Sequence, residues 1–495
     1  MRKAGILMPV SSIPSKYGIG TFSKEAYEFV DFLHKAGQKL WQILPLGPTG
    51  YGDSPYQSFS TFAGNPYYID LVTLIEEGYL TEEECDACNF GDNREYVDYE
   101  KVYFSRFDVL RKAYVRAFTE KNLGEDNGYL TFVSENASWL DDYALYMAVK
   151  NGFGGISWSE WDADIRTRKP EALVAYREKY KDEIDFYRFQ QYMFAKQWKA
   201  LKAYANEKGV EIVGDIPIYV AFDSADTWAN PELFQLDEDC MPVAVAGCPP
   251  DAFSATGQLW GNPLYDWEYH AKTNYEWWMK RIGFCFELYD VVRIDHFRGF
   301  DEYWSIPYGD DTAEFGKWCP GPGYALFETM KNTLGEKKVI AEDLGYLTDS
   351  VIELVEKTGY PGMKILQFAF DSREDSDYLP HNYVKNSVVY TGTHDNDTIL
   401  GWYTTLASAD KKFAEEYLQI PADEEEMEWQ FIRAAYASVS ETAIIPMQDC
   451  LGLDETARIN IPSTLGINWK WRMKKEACTD ELAERLNYLC KLYAR

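Results

Sequence analysis

Three carboxylic side chains stand at the ends of short apolar segments, where they could act on one substrate together. They are Asp295, Glu342 and Asp395, and each follows a run rich in Val and Ile. A single acid after a strand often caps the next helix, so each one alone is weak support for a site. Three of them at strand ends on one face of a sheet predict a catalytic group.

The reaction that this group suits best is the cleavage of a glycosidic bond. One carboxylate must be ionised to attack the anomeric carbon, and a second must be protonated to release the leaving oxygen. Arg293 lies two residues before Asp295, so both side chains share a strand face and the guanidinium can hold the carboxylate ionised. A structural ion pair is the alternative reading of Arg293. The charge of Asp295 would keep Glu342 protonated near neutrality.

The elements that must position these acids are predicted from nearly continuous apolar segments separated by helical patterns. Such strands are typical of a parallel sheet covered by helices, and eight of them predict an α/β fold, the (β/α)8 TIM barrel. The strands are expected at Gly5–Val10, Leu40–Pro45, Val210–Asp215, Val291–Asp295, Lys338–Glu342, Met363–Phe370, Ser387–Thr393 and Thr442–Met447. Helices are expected, for example, at Lys24–Ala36 and Asp349–Lys357. The acids then follow the fourth, fifth and seventh strands.

The spacing of the strands predicts large insertions in the loops that follow them. About residues 65–200 should form a helical and irregular subdomain beside the site, and about 218–280 a second elaboration, because barrels accept insertions in these loops. No linker or low-complexity tract divides the chain. We therefore expect residues 1–495 to form one catalytic barrel domain without a separate C-terminal domain.

The composition restricts the partners and the compartment. Asp and Glu number 80 against 49 Lys and Arg, a net charge of −31, which disfavours nucleic acid and anionic membranes as partners. No stretch is apolar enough to span a membrane. Nine scattered cysteines favour reduced thiols and a cytoplasmic location, and the lone pair Cys85 and Cys88 is a weak zinc or redox signal. The chemistry above needs no metal and no organic cofactor, so we predict neither.

Several local sequences resemble one enzyme family over essentially the whole chain. The family is that of the 4-α-glucanotransferases called amylomaltases or disproportionating enzymes, glycoside hydrolase family 77 of the α-amylase clan. The matching motifs are Tyr51-Gly52-Asp53-Ser54-Pro55-Tyr56-Gln57-Ser58, Gly214-Asp215-Ile216-Pro217-Ile218-Tyr219-Val220, Pro249-Pro250-Asp251, Gly257-Gln258-Leu259-Trp260-Gly261-Asn262-Pro263, Arg293-Ile294-Asp295-His296-Phe297-Arg298-Gly299, Ala341-Glu342-Asp343-Leu344-Gly345, Gly392-Thr393-His394-Asp395-Asn396 and Asn468-Trp469-Lys470-Trp471-Arg472.

The resemblance implies a retaining double displacement on maltooligosaccharides, amylose or other α-1,4-glucans, with glucose or an oligosaccharide as acceptor. Asp295 would be the nucleophile, Glu342 the acid and then the base, and Asp395 the acid that holds sugar hydroxyls. The same resemblance implies supporting roles for five residues: Arg293 beside the nucleophile, His394 and Tyr56 against the sugar at the cleavage point, Asp215 in the pocket wall and Trp260 on a loop over the cleft.

Two regions depart from the family pattern. Ala252 stands where an aromatic residue usually follows Pro-Pro-Asp, which would weaken the grip on the acceptor. Ser463 and Ile467 replace two glycines of the last loop.

Two other functions stay open. The same carboxylates could serve an α-glucan hydrolase, with water as acceptor. A non-catalytic glucan-binding protein is the less favoured alternative, because all three acids are present. His296 is left without an assigned role, and Trp277 and Trp278 are expected in the core.

Overall fold

The computed structural model describes residues 2–50, 52–250, 254–345, 347–421 and 426–495. The strands are β1 (Lys3–Leu7), β2 (Leu40–Gln42), β3 (Glu211–Ile216), β4 (Ala244–Cys248), β5 (Gln258–Pro263), β6 (Val291–Ile294), β7 (Glu302–Pro307), β8 (Lys317–Pro320), β9 (Val339–Ala341), β10 (Gly362–Ile365), β11 (Ser387–Tyr390) and β12 (Thr442–Pro446).

The α-helices cover the strands and fill the long connections. They are α1 (Lys24–Lys35), α2 (Leu71–Glu76), α3 (Glu82–Asp86), α4 (Tyr99–Thr119), α5 (Asn127–Glu135), α6 (Ala137–Gly152), α7 (Ala163–Arg166), α8 (Pro170–Lys179), α9 (Lys181–Glu207), α10 (Ala225–Ala229), α11 (Trp267–Lys272), α12 (Glu276–Leu288), α13 (Tyr324–Leu334), α14 (Asp349–Thr358), α15 (Ile399–Thr405), α16 (Ser408–Leu418), α17 (Glu428–Ala437), α18 (Met447–Cys450) and α19 (Asp480–Leu492). Among the described helices, none combines the length and the apolar character needed to cross a membrane.

Eight of the strands form one parallel sheet that is wound into a barrel. In chain order they are β1, β2, β3, β6, β9, β10, β11 and β12, and each lies beside the next, with β12 returning to β1. Between β9 and β10 the Ala341 N–H donates to the Pro361 carbonyl at 3.0 Å. The Met363 N–H donates to the carboxylate of Asp343 at 2.7 Å across the same seam. The predicted barrel is therefore confirmed.

Side chains from every barrel strand fill the interior, while their neighbours face the helices. Leu7, Val213, Ile340 and Ile444 belong to one buried cluster that draws on all eight strands. Ile6, next to Leu7, belongs to the larger cluster under the helices. Most barrel strands are thus apolar on both faces, as the nearly continuous hydrophobic segments in the sequence require, whereas β10 carries Lys364 on its outer face.

The strand bounds differ from the sequence prediction mainly at the carboxyl ends. The expected strand Met363–Phe370 ends at Ile365, after which Leu366–Phe368 forms a short 3-10 helix. The strand expected at Leu40–Pro45 ends at Gln42. Apolar residues continue beyond the ladder at these points because the chain stays buried while it turns towards the barrel mouth. Helices α1 and α14 lie within one residue of their predicted bounds.

The long connection between β2 and β3 is helical, and a second sheet lies in later connections. Helices α2 to α9 lie between these two strands. Strands β5, β4, β7 and β8 form a separate four-stranded antiparallel sheet in that order. This sheet was not predicted, and it uses residues up to Pro320, beyond the expected second elaboration. The division of the chain into a barrel domain with inserted subdomains stays a prediction.

Candidate active site

The three predicted acids all follow carboxyl ends of barrel strands. Asp295 comes directly after β6, Glu342 directly after β9, and Asp395 five residues after the end of β11. Because the strands are parallel, these ends meet at one mouth of the barrel. The backbone of Asp295 still belongs to the hydrogen-bond pattern between β3 and β6, since its N–H donates to the carbonyl of Ile216, the last residue of β3, at 2.9 Å.

Arg293 lies at the centre of the site and joins two carboxylates. Its Nη1 donates to both carboxylate oxygens of Asp215, at 2.8 and 2.7 Å, and to Oδ1 of Asp295 at 2.9 Å. Burial lowers the pKa of Arg293, but the charges of Asp215 and Asp295 outweigh it and raise the pKa well above its ordinary value. The side chain of Asp215 is fully buried, whereas that of Asp295 is 28% exposed. Asp295 is therefore oriented by the guanidinium and still accessible from the mouth.

Glu342 lies against the backbone that follows Asp295. Its Oε2 accepts the N–H of His296 at 2.6 Å and its Oε1 accepts the N–H of Leu344 at 2.9 Å. Burial and then the charge of Asp295 raise the pKa of Glu342 to about 7, although Arg293 and these two N–H groups oppose the shift. A carboxyl group in this environment can carry a proton near neutrality, as a general acid must.

Asp395 has the opposite electrostatic surroundings. Its Oδ2 lies 3.3 Å from Nε2 of His394, and its Oδ1 accepts the side-chain N–H of Asn460 at 2.6 Å. Burial raises the pKa of Asp395, but the His394 charge and these hydrogen bonds outweigh it and lower the pKa to about 2. Burial lowers the pKa of His394, yet the Asp395 carboxylate raises it overall. Asp395 is thus an ionised acid paired with an imidazole.

Tyr56 forms an aromatic wall of the site with His394. The two rings are stacked, with centroids 5.0 Å apart and 20° between their planes. The Tyr56 hydroxyl donates to Oδ2 of Asp215 at 3.0 Å. Trp469 lies behind them, its ring 5.9 Å from that of Tyr56. Burial, followed by the Asp215 charge, raises the pKa of Tyr56 well above its ordinary value, so the phenol stays a hydrogen-bond donor.

Trp260 lies on β5 of the small sheet and contacts the segment that directly follows Asp295. Its ring meets that of His296 edge to face at 4.8 Å. His296 adopts a positive φ of 50°, and burial lowers its pKa to about 4, so it is neutral beside Trp260. Ala252 lies outside the described residues. Trp278 is fully buried and Trp277 packs partly buried against the core, as predicted for this pair.

Two further polar residues of the site were missed by the sequence reasoning. Asn460 donates to the Asp395 carboxylate, and Arg458 donates from Nη2 to the Asp395 carbonyl at 2.7 Å and from Nε to the Asn460 carbonyl at 2.8 Å. Both lie in the loop after β12, at the same mouth of the barrel as the acids. Their position after the last strand was the available signal, but their contacts depend on how that loop folds.

A parallel eight-stranded barrel with an arginine-bound carboxylate and a neighbouring protonatable glutamate defines a class of protein, the enzymes that break glycosidic bonds with two carboxyl groups. Within the described residues, no group of three or more His, Cys, Asp or Glu is placed to hold a metal ion.

Comparison with known proteins gives the family. The sequence profile of glycoside hydrolase family 77, described as 4-alpha-glucanotransferase, matches residues 8–479. The 4-alpha-glucanotransferase of Clostridium butyricum is 52% identical over 490 residues, covering 99% of this chain and all of that protein. The enzyme of the same name from Streptococcus pneumoniae serotype 4 is 52% identical over 496 residues, covering 100% of this chain and 97% of that protein. The structure of the amylomaltase from Streptococcus agalactiae in complex with acarbose superposes over both whole chains with a TM-score of 0.97 and 45% identity.

This chain belongs to glycoside hydrolase family 77, the 4-alpha-glucanotransferases.

Proposed function

We propose that this protein is a retaining 4-α-glucanotransferase that uses Asp295 as nucleophile and Glu342 as acid and base. It cleaves an α-1,4 bond in a maltooligosaccharide or amylose and transfers the released segment to the 4-hydroxyl of glucose or an oligosaccharide. The observation that carries the proposal is the pair formed by Glu342, whose pKa is raised to about 7, and Asp295, which is bonded to Arg293 at 2.9 Å. One carboxyl group is protonated near neutrality and the other is oriented for attack, as two-step glycosyl transfer requires.

In the first step the glucan is transferred to the enzyme. A carboxylate oxygen of Asp295 forms an ester bond to the anomeric carbon, and the bond from that carbon to the leaving 4-oxygen breaks. Glu342 gives its proton to the leaving oxygen, so the shortened glucan departs as a neutral alcohol. Arg293 keeps the attacking oxygen in place, because its Nη1 is itself fixed by both oxygens of Asp215.

In the second step the glucan passes to the acceptor. The ionised Glu342 takes the proton of the acceptor 4-hydroxyl, whose oxygen attacks the anomeric carbon and releases Asp295. Two inversions give net retention. Glu342 is a carboxylate at this stage because it gave its proton to the leaving oxygen in the first step. Burial still raises its pKa, but the contribution of the Asp295 charge is removed in the ester, which lowers the pKa of Glu342 when it must act as base.

The remaining predicted residues hold the sugar in this scheme. The ionised Asp395 and the His394 imidazole bind ring hydroxyls and stabilise positive charge that develops on the sugar. The ring of Tyr56 stacks against the sugar at the cleavage point, and Trp260 covers the cleft from the small sheet. The absence of a required cofactor and a cytoplasmic location stay predictions.

A hydrolase of the same clan is the alternative, because water can replace the acceptor at the same carboxyl groups. Incubation with maltotriose separates the two. Transfer predicts glucose together with a ladder of longer oligosaccharides and little rise in total reducing ends. Rising reducing ends without longer products would contradict transfer and support hydrolysis. Sugar binding without any turnover would support the non-catalytic reading.

A further inference from the structure

Asp449 is a buried acid that the proposed reaction does not use. It lies on α18, directly after the last barrel strand, and is only 2% exposed. Its Oδ2 accepts the hydroxyl hydrogen of Thr391 at 2.5 Å, and its Oδ1 accepts the N–H of Ile399 at 2.8 Å. Burying a carboxyl group is costly, so a buried one that accepts two hydrogen bonds indicates a specific structural task.

The two donors lie at opposite ends of one segment. Thr391 directly follows β11, and Ile399 is the first residue of α15. His394 and Asp395 lie between them. Both Thr391 and Ile399 are completely buried. One carboxyl group therefore ties together the start and the end of the segment that carries the sugar-holding acid.

The surroundings of Asp449 are acidic as well as apolar. Burial raises the pKa of Asp449 to about 7, the hydrogen bonds from Thr391 and Ile399 oppose the shift, and the charges of Glu428 and Asp397 add to it. A second contact holds the middle of the segment, because Arg458 donates to the Asp395 carbonyl at 2.7 Å. The segment is thus held at three points by residues of the chain that follows β12.

We propose that Asp449 is a positioning residue for the reaction: by bonding both ends of the 391–399 segment, it fixes His394 and Asp395 against the sugar. The inference rests on the proposed function, in which Asp395 and His394 hold the sugar. In this role Asp449 itself contacts neither the substrate nor the acids Asp295 and Glu342. A displacement of about 1 Å at a reacting group can lower the rate by roughly 100-fold, so the position of this segment matters to turnover.

The experiment compares two substitutions at Asp449 with a matched control. Asp449→Leu keeps the number of non-hydrogen side-chain atoms and removes both acceptors. Asp449→Asn keeps an oxygen for the Ile399 N–H and offers an N–H to the Thr391 hydroxyl oxygen. The control is Asp70→Leu, because Asp70 is also buried and also accepts the N–H and hydroxyl of Thr73 at 2.8 Å each, but caps α2. Turnover of maltotriose, inhibition by acarbose and melting temperature are measured for each.

We expect Asp449→Leu to lower kcat by about 10-fold to 100-fold and to weaken acarbose inhibition, with a smaller change in KM. Asp449→Asn should stay within about threefold of the wild type, since it can restore both hydrogen bonds. Asp70→Leu should lower the melting temperature and leave kcat of the folded enzyme nearly unchanged. If Asp449→Leu does not fold, Thr391→Val, which removes one of the two bonds, should give the same kind of loss with a smaller size.

The decisive measurement is a double-mutant cycle between Asp449 and His394. If Asp449 acts through His394 and Asp395, then Asp449→Leu combined with His394→Ala should cost less than the product of the two single losses. Fully multiplicative losses, an unchanged kcat in folded Asp449→Leu, or an equal loss of kcat in Asp70→Leu would each overturn the positioning role. The wild-type product ladder from maltotriose is scored separately, so failure of the proposed function and failure of this inference give different results.

Discussion

Nη1 of Arg293 contacts both carboxylate oxygens of Asp215, at 2.8 and 2.7 Å, inside the mouth of the barrel. The same nitrogen donates to Asp295, so the buried Asp215 determines where the guanidinium lies and the guanidinium determines where Asp295 lies. The position of the proposed nucleophile Asp295 therefore depends, through Arg293, on Asp215, which lies on β3 and not on the strand that precedes Asp295.

Removing this guanidinium should affect both stability and rate. Arg293→Met leaves Asp215 buried without its charged partner, which costs about 3–5 kcal/mol of unfolding free energy. The rate should fall by at least about 100-fold, because Asp295 loses its orientation. Arg106→Met is the control, since Arg106 is equally buried but donates to the Ile69 carbonyl away from the acids. Chemical denaturation and kcat measure the two effects; a destabilised variant with normal kcat would contradict the orienting role.

The pH dependence of the reaction should report Glu342. Since its pKa is raised to about 7, kcat/KM should be halved near pH 7 and fall about tenfold for each further pH unit, as the proton needed for the first step is lost. Rates of maltotriose conversion between pH 5 and 9 test this expectation. A kcat/KM that stays constant up to pH 9 would exclude Glu342 as the acid with this pKa.

Replacing the proposed nucleophile should change the titration of its partner. Asp295→Asn should abolish turnover and lower the pKa of Glu342 below about 7, because the negative charge that helps to raise it is gone. Carbon NMR of labelled glutamate, with the Glu342 signal identified by Glu342→Gln, measures the shift. Asp239→Asn in an exposed loop is the control and should change neither property. Substantial activity in Asp295→Asn would remove its assignment as nucleophile.

Asn460, which the sequence reasoning missed, should contribute measurably through Asp395. Asn460→Ala removes a hydrogen bond to a carboxylate, which should lower the free energy of unfolding by about 1.5–3 kcal/mol. Because Asp395 then loses a contact that orients it, kcat/KM should fall by about 10-fold or more. The pKa of Asp395 should rise from about 2 towards its ordinary value. Asn386→Ala, which removes a surface bond to the Gly359 carbonyl, should leave kcat/KM unchanged. Equal effects of the two substitutions would argue against a role for Asn460.

Trp260 should influence which acceptor attacks the enzyme-bound glucan. Trp260→Ala opens the cleft beside His296, so water gains access and sugar acceptors lose a stacking surface. The ratio of new reducing ends to transferred glucan should rise by about threefold or more. Trp318→Ala, on the opposite edge strand of the small sheet, is the control. An unchanged ratio in Trp260→Ala would mean that other residues exclude water.

The barrel and the clustering of the acids could be predicted because both follow from local patterns. Each barrel strand is a short apolar run, and parallel strands bring their carboxyl ends to one mouth, so Asp295, Glu342 and Asp395 had to lie near one another. The pairing of Arg293 with Asp295 followed from strand alternation. These inferences needed no knowledge of long-range contacts.

The small sheet and the supporting contacts could not be predicted in the same way. Strands β4 and β7 pair although a whole barrel strand lies between them in the chain, and such pairing leaves no local signal. The bonds from Asn460, Arg458 and Asp449 depend on irregular loops whose conformation is set by their tertiary surroundings. Sequence therefore located the reacting groups better than it located the residues that hold them.

The seam between β9 and β10 has a consequence for local unfolding of the barrel. At this seam the Met363 N–H donates to the carboxylate of Asp343, whereas the other neighbouring strands of the barrel are joined by a backbone ladder. Local fluctuations should be largest where backbone pairing is sparsest, so amide exchange with deuterated water should be faster along this seam than between β1 and β12. Glu342 directly follows β9, and it would be the first of the three acids to be separated from the others by such a fluctuation. Partial denaturation should thus abolish proton transfer before it disrupts the grip on the sugar.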